Sequence, residues 1–164
     1  MNTLPLANLV ANFLACEGRP PVAPDEQDIH IIPLDDEHLL GVKMCESGNG
    51  VLFFAHPGSD VEELAPKVDD AFDAQSEELE LGDDSDGTWL LTGDRTSRRH
   101  TLWVRAVHCR VGHVEFARIV GSLRSRFEMW DEVLRGNISA PRVTEGVPLS
   151  KFQHSHAAFD QQLL

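Results

Sequence analysis

Apolar residues recur along the last third of the chain at helical spacing. Phe116, Val120, Leu123, Phe127, Trp130 and Leu134 follow one another at steps of four, three, four, three and four. That spacing predicts a helix from Val114 to Leu134 with one continuous apolar stripe. Arg118, Arg124, Arg126, Glu128, Asp131 and Glu132 fall mostly on its other sides, and Gly136-Asn137 stops it. A helix of this length is about 30 Å long, and its stripe needs a sheet or another helix as cover.

The preceding chain supplies that cover. Leu6, Leu9, Val10, Phe13 and Leu14 mark one face of a first helix, with Asn2 or Thr3 as its cap and Pro5 in its first turn. Gly18 and Pro20-Pro21 end it, and residues 19–27 form a proline-rich connection. Three short strands follow: Asp28–Leu34, His38–Glu46 and Val51–His56. Asp35-Asp36 separates the first two. Ser47-Gly48-Asn49-Gly50, with its Asn-Gly pair, makes a hairpin of the second and third. A second helix begins at Asp60, with Val61, Leu64, Ala65, Val68 and Phe72 on one face and Pro66 interrupting it. Its acidic side runs on through Glu77, Glu78, Glu80, Asp83, Asp84 and Asp86, which reads as a solvated loop. Strands Thr88–Thr92 and Thr101–Cys109 complete the set before the long helix. Residues 137–164 show no period and read as a flexible tail, so residues 1–136 form one domain. The order α-β-β-β-α-β-β-α predicts an α+β fold with a five-stranded antiparallel sheet.

The strands are apolar on both faces. Val51 and Phe53 oppose Leu52 and Phe54; Leu90 opposes Trp89 and Leu91; Leu102 and Val104 oppose Trp103 and Val107. Such a sheet needs two covers. The first and last helices cover one face, and a proline-broken second helix leaves work for a second subunit or a bound chain.

Charge narrows the partners. The 164 residues carry a formal net charge of −13. Residues 1–86 hold 20 Asp/Glu against 3 Lys/Arg, whereas residues 87–164 hold 7 against 11. An acidic surface repels nucleic-acid phosphates and anionic lipid, which argues against a nucleic-acid or membrane partner and favours a basic or partly unfolded protein. Cys16, Cys45 and Cys109 form no CxxC pair and read as reduced thiols of a cytoplasmic protein. No apolar run reaches the length of a membrane span, and the start of the chain has no secretion-signal pattern.

Catalytic chemistry is not visible. Among eight histidines, His154 and His156 form an HxH pair in the tail, His108 and His113 straddle the end of a strand, and His30, His38 and His56 sit near strand ends. None shows the spacing of a zinc site. Asp84-Ser85-Asp86-Gly87 resembles part of a calcium loop, but glycines at 82 and 93 occupy required ligand positions. There is no GxSxG elbow, phosphate-binding glycine loop or GxGxxG after a strand. No cofactor or metal is expected, and a small metal-dependent hydrolase is the weakest alternative.

The element order, together with Val114-Glu115-Phe116-Ala117-Arg118-Ile119-Val120 through Phe127-Glu128-Met129-Trp130, resembles the class I chaperones of bacterial type III secretion, the Tir chaperone-like family. The resemblance covers about residues 4–134. Strong acidity is similar to that of the HpaB-type general effector chaperones. Pro66 and the long tail depart from the pattern. The resemblance implies a homodimer that holds the N-terminal segment of a secreted effector extended and passes it to the secretion ATPase, without a nucleotide site of its own. By position, Phe13, Ile29, Ile31, Val42 and Met44 would form client grooves, and Val68, Phe72, Trp89, Leu91 and Trp103 the dimer contact. A regulatory protein of the same fold, not tied to secretion, is the alternative.

Overall fold

The computed structural model describes residues 3–58, 78–84, 87–94 and 99–137. The helix expected over 60–72, with Val68 and Phe72, and the tail from 138 onward lie outside these residues. The described chain runs α1 (Leu6–Cys16), β1 (His30–Pro33), β2 (Leu39–Met44), β3 (Gly50–Ala55), β4 (Glu78–Asp84), β5 (Gly87–Asp94), β6 (Arg99–Val107), a 3-10 turn over His108–Arg110, and α2 (His113–Leu134). It is an α+β fold on one antiparallel sheet.

Among the described residues the sheet has six strands in the order β1-β2-β3-β6-β5-β4. Two meanders, β1-β2-β3 and β4-β5-β6, join where β3 pairs with β6, from Gly50 opposite Val107 to Ala55 opposite Leu102. The added strand is β4, whose sequence reads as a solvated loop because it is so acidic. Its Glu-Leu-Glu-Leu start carries the two-residue alternation of a strand. Charge is compatible with pairing at the rim of a sheet, where acidic or basic residues discourage association with other chains. Asp84 pairs with Gly87 at this end of the two strands.

Both helices end by the same local chemistry. At α1, Gly18 takes φ 69°, its N–H donates to Ala15, and the Arg19 N–H donates back to the Leu14 carbonyl at 2.8 Å. At α2, Gly136 takes φ 78°, and Asn137 N–H reaches the Glu132 carbonyl at 2.9 Å. Each pair satisfies carbonyls that the last turn leaves open, and glycine reaches the left-handed region without a Cβ penalty. At its start α1 differs from the expected cap: Pro5 itself holds the N-cap position with no side-chain hydrogen bond. α2 begins behind Gly112, whose N–H donates to Glu115 Oε2 at 3.1 Å.

Both helices pack on one face of the sheet. Phe116, Ile119, Val120, Leu123, Phe127 and Trp130 of α2 join Leu9, Val10, Phe13 and Leu14 of α1 in one core with Ile32, Leu40, Val42, Val51, Phe53, Trp89, Leu91, Leu102 and Val104. Phe116 is its hub. Its ring lies 5.5 Å from Phe13 and 5.2 Å from Phe53, so one side chain bridges both helices and the sheet. The guanidinium of Arg126 lies 4.1 Å over the Trp89 ring and closes that side.

Phe116→Ala should lower unfolding free energy by about 3–5 kcal/mol, the cost of a large buried ring and the cavity it leaves. Val114→Ala, at a position 75% exposed, should change it by less than about 0.5 kcal/mol. Urea unfolding followed by tryptophan fluorescence checks both.

Candidate interaction surfaces

The pairing registers sort the strand residues by face. Opposite the helices, Gly41 pairs with Phe54, Phe54 with Trp103, and Trp103 with Leu90. These four positions form an apolar row across four strands. The next row, Lys43, Leu52, Arg105 and Thr88, mixes cations with one leucine. Leu52, Leu90 and Cys45 are buried, whereas Phe54 and Trp103 are half-buried. The Phe54 and Trp103 rings lie 5.1 Å apart. Phe54 also lies across Gly41, where a Cβ would sit 2.3 Å from its ring tip. Glycine at 41 is therefore what lets the ring lie flat across β2. Trp103 Nε1–H donates to Thr92 Oγ1 at 2.8 Å, which orients the indole. Burial pushes the Cys45 thiol pKa up, against the opposing pull of Arg105 and Lys43.

The expected dimer residues divide between the two faces. Trp103 is on the apolar row. Trp89 and Leu91 are on the helix-covered face, fully buried in the core of their own chain. Their role here is packing, because β-strand alternation turns them away from Leu90 and toward α2. The expected client residues divide as well. Phe13 and Val42 are core residues. Ile29, Ile31 and Met44 are half-buried; Met44 packs beside the core, and Ile31 lies on β1 at the rim of the sheet.

A cleft of about 270 Å³ opens between the β1–β2 turn and the second half of α2, lined by Leu34, Asp35, His38, Arg124, Phe127, Glu128, Asp131 and Glu132. Its polar groups are largely engaged within the chain. His38 Nδ1 lies 2.8 Å from Asp35 Oδ2, and its ring lies 4.7 Å from Phe127. Asp131 accepts from Gly58 N–H at 2.6 Å and from Arg135 Nε at 2.7 Å. Arg124 donates to the Leu34 carbonyl at 2.7 Å and to both Glu17 carboxylate oxygens at 2.8 and 3.1 Å. This seam ties the ends of β1, α1 and α2 together. Sequence periodicity places Arg124 on the outer side of its helix and gives no sign of this clamp, whose partners lie about a hundred positions away. Among the described residues no group of three or more His, Cys, Asp or Glu could hold a metal ion. Nor is any described helix long and apolar enough to cross a membrane.

No protein-family model and no curated protein sequence matches this chain. Solved structures do. The complex of ExsC with ExsE aligns at TM-score 0.59 and 15% identity, over 80% of this chain and 97% of the other. The Yersinia pestis type III secretion chaperone SycH, bound to a stable fragment of YscM2, aligns at 0.51 and 12%, over 75% and 97%. The HopA1–SchA chaperone–effector complex aligns at 0.52 and 13%, over 76% and 91%. At these identities the likeness is one of fold: this chain has the class I type III secretion chaperone fold.

The Asp35 carboxylate makes a pH prediction. Partial burial raises its pKa, but bonds from Glu37 N–H and from the His38 ring and N–H outweigh this, and the net pKa lies below the ordinary 3.8. A lowered folded-state pKa stabilises the fold above the unfolded value, and that contribution is lost as pH falls through the folded value. Asp35→Ala should therefore be less stable than the unaltered protein at pH 6, with the gap shrinking below about pH 4. Urea midpoints across this range test it; a gap that widens on acidification overturns the assignment.

Proposed function

We propose that this protein is a cytoplasmic type III secretion chaperone, a binding protein rather than an enzyme. It holds the N-terminal segments of effector proteins in extended form and delivers them to the export apparatus through the secretion ATPase. The observation that carries this reading is the fold, shared over nearly the full length of a type III secretion chaperone bound to a fragment of YscM2 and of the chaperone in a chaperone–effector complex. Two features of the chain support it. On the face of the sheet away from the described helices, Phe54 and Trp103 pair across two strands and stay half-buried. The net charge of −13 favours encounter with basic, unfolded clients and disfavours nucleic acid.

An extended client suits such a surface. Main-chain hydrogen bonds to a sheet edge tolerate many sequences, and half-buried positions such as Ile29, Ile31 and Met44 offer shallow seats for alternate side chains. The working unit is a homodimer. Trp103 is the described residue best suited to the contact, since it is large, half-buried and held in one orientation by Thr92. Val68 and Phe72 would add to it.

Light scattering should give about twice the 18.2 kDa chain mass, and Trp103→Glu should shift the protein toward monomer, because burying an unpaired carboxylate costs several kcal/mol. A chain that stays monomeric at tens of micromolar would count against the dimer. Co-expression with candidate effectors lacking or retaining their N-terminal segments tests the client assignment. Retention only of the intact effectors is expected; equal retention of both sets removes it.

A further inference from the structure

The proposed homodimer sets an electrostatic problem. Each copy carries a net charge of −13, and two such surfaces repel unless cations sit where they meet. The sheet face away from the helices holds two cations. Lys43 of β2 and Arg105 of β6 flank Leu52 of β3, in the row next to Phe54 and Trp103. Lys43 is one of only three Lys or Arg in the first 86 residues.

Neither cation has a carboxylate partner among the described residues, whose ion pairs use Arg19, His38, Arg124 and Arg135. Both are nevertheless half-buried. The group they share is the Cys45 thiol, which burial keeps protonated at neutral pH. Gly50 makes room for that meeting, since a Cβ there would lie 2.8 Å from Cys45 Sγ and 3.4 Å from Arg105 Nε. Part of the burial has an internal cause. Leu52 is fully buried on this face, and long basic side chains cover such a residue with their stems while their heads reach water. Covering a leucine requires no charge. The charge itself is left without a counter-charge in a chain that has 27 Asp and Glu.

A docking partner would strip more water from these cations, which is favourable only if it brings carboxylates. A basic client segment meets like charge here and is turned away. A second copy brings carboxylates in excess. Two-fold symmetry also makes every pair between the copies form twice. The neighbouring Phe54 and Trp103 supply the apolar part of the same contact.

We infer that Lys43 and Arg105 are the charge-specific contacts of the homodimer, taking carboxylates of a second copy and keeping basic client segments off this part of the sheet. The inference rests on the homodimer reading and names the groups that decide which partner the face accepts.

Sedimentation equilibrium of the full-length protein tests it, with Lys43→Met/Arg105→Met, which keeps apolar stems over Leu52, and with Lys43→Glu/Arg105→Glu. The methionine pair should raise the dimer dissociation constant roughly tenfold at low salt, as expected for a few weak ion pairs formed twice. The difference should fall below about twofold at about 1 M salt, where charges are screened beyond about 3 Å. The glutamate pair should raise the constant further at low salt. In the unaltered protein, amide exchange at residues 41–45, 51–54 and 103–105 should quicken as the dimer is diluted, a readout that does not depend on how the variants fold. Unchanged dimerisation of the methionine pair overturns the inference. So does a weakening that persists in full at high salt, which makes the two residues a cover for Leu52 alone, or exchange at those residues that ignores dilution. Binding of a twelve-residue valine–glutamate peptide to the unaltered chain but not to the methionine pair, with dimerisation equal in both, makes a foreign acidic segment the occupant and also overturns it. Each of these leaves the homodimer standing; an unaltered chain that is monomeric at tens of micromolar removes the homodimer itself.

Discussion

Burial of one helical stripe against one sheet face is the interaction on which the rest of this molecule depends. Phe116 stands at its centre, between Phe13 of α1 and Phe53 of β3. Neither helix has an apolar partner elsewhere among the described residues, and the strands come from segments far apart in the chain. The stripe is therefore what brings the two meanders into register at β3 and β6. Arg124 finishes the arrangement from the polar side of the same helix. It bonds the end of β1 and Glu17 beyond α1, so the helix that fills the core also locks the rim.

On the other face, strand alternation sets the buried Leu52 and Leu90 beside the half-buried Phe54 and Trp103. Phe54, Trp103 and Leu90 lie there because Phe53, Val104, Trp89 and Leu91 are committed to the core. Its two described edges differ: Pro33 of β1 has no N–H and its carbonyl accepts from Arg124, whereas the sequence of β4 is strongly acidic. The contrast gives a single sheet an unequal pair of rims, and the charge imbalance of the chain lies mostly in the residues before β5.

The cleft beside His38 shows how a grouping of titratable residues can be structural. Asp35, Asp131, Glu132 and Arg124 all line it, yet each bonds within the chain: Asp35 to the turn that follows it, Asp131 to Gly58 and Arg135, Glu132 to Asn137, and Arg124 to Glu17 and Leu34. Their chemistry holds loops to helix ends. The proposed contact surface rests instead on the apolar row of Phe54 and Trp103, which carries no motif.

Local pattern was enough for every element whose residues repeat in step with its own geometry. The spacing of Phe116 to Leu134 marked α2, Gly136-Asn137 marked its end, and the alternation at Val51–Phe54 separated the two faces of β3. Acidic composition hid β4, although Leu79 and Leu81 alternate with Glu78 and Glu80, because an edge strand tolerates charge that an inner strand does not. Position along the chain could not tell that Trp89 and Leu91 turn inward while Trp103 turns outward as a potential contact. Nor could it reveal that Arg124 bonds the end of β1 to Glu17. Periodicity depends on neighbours a few residues apart, whereas faces, edges and clamps depend on which distant strands pair and in what register.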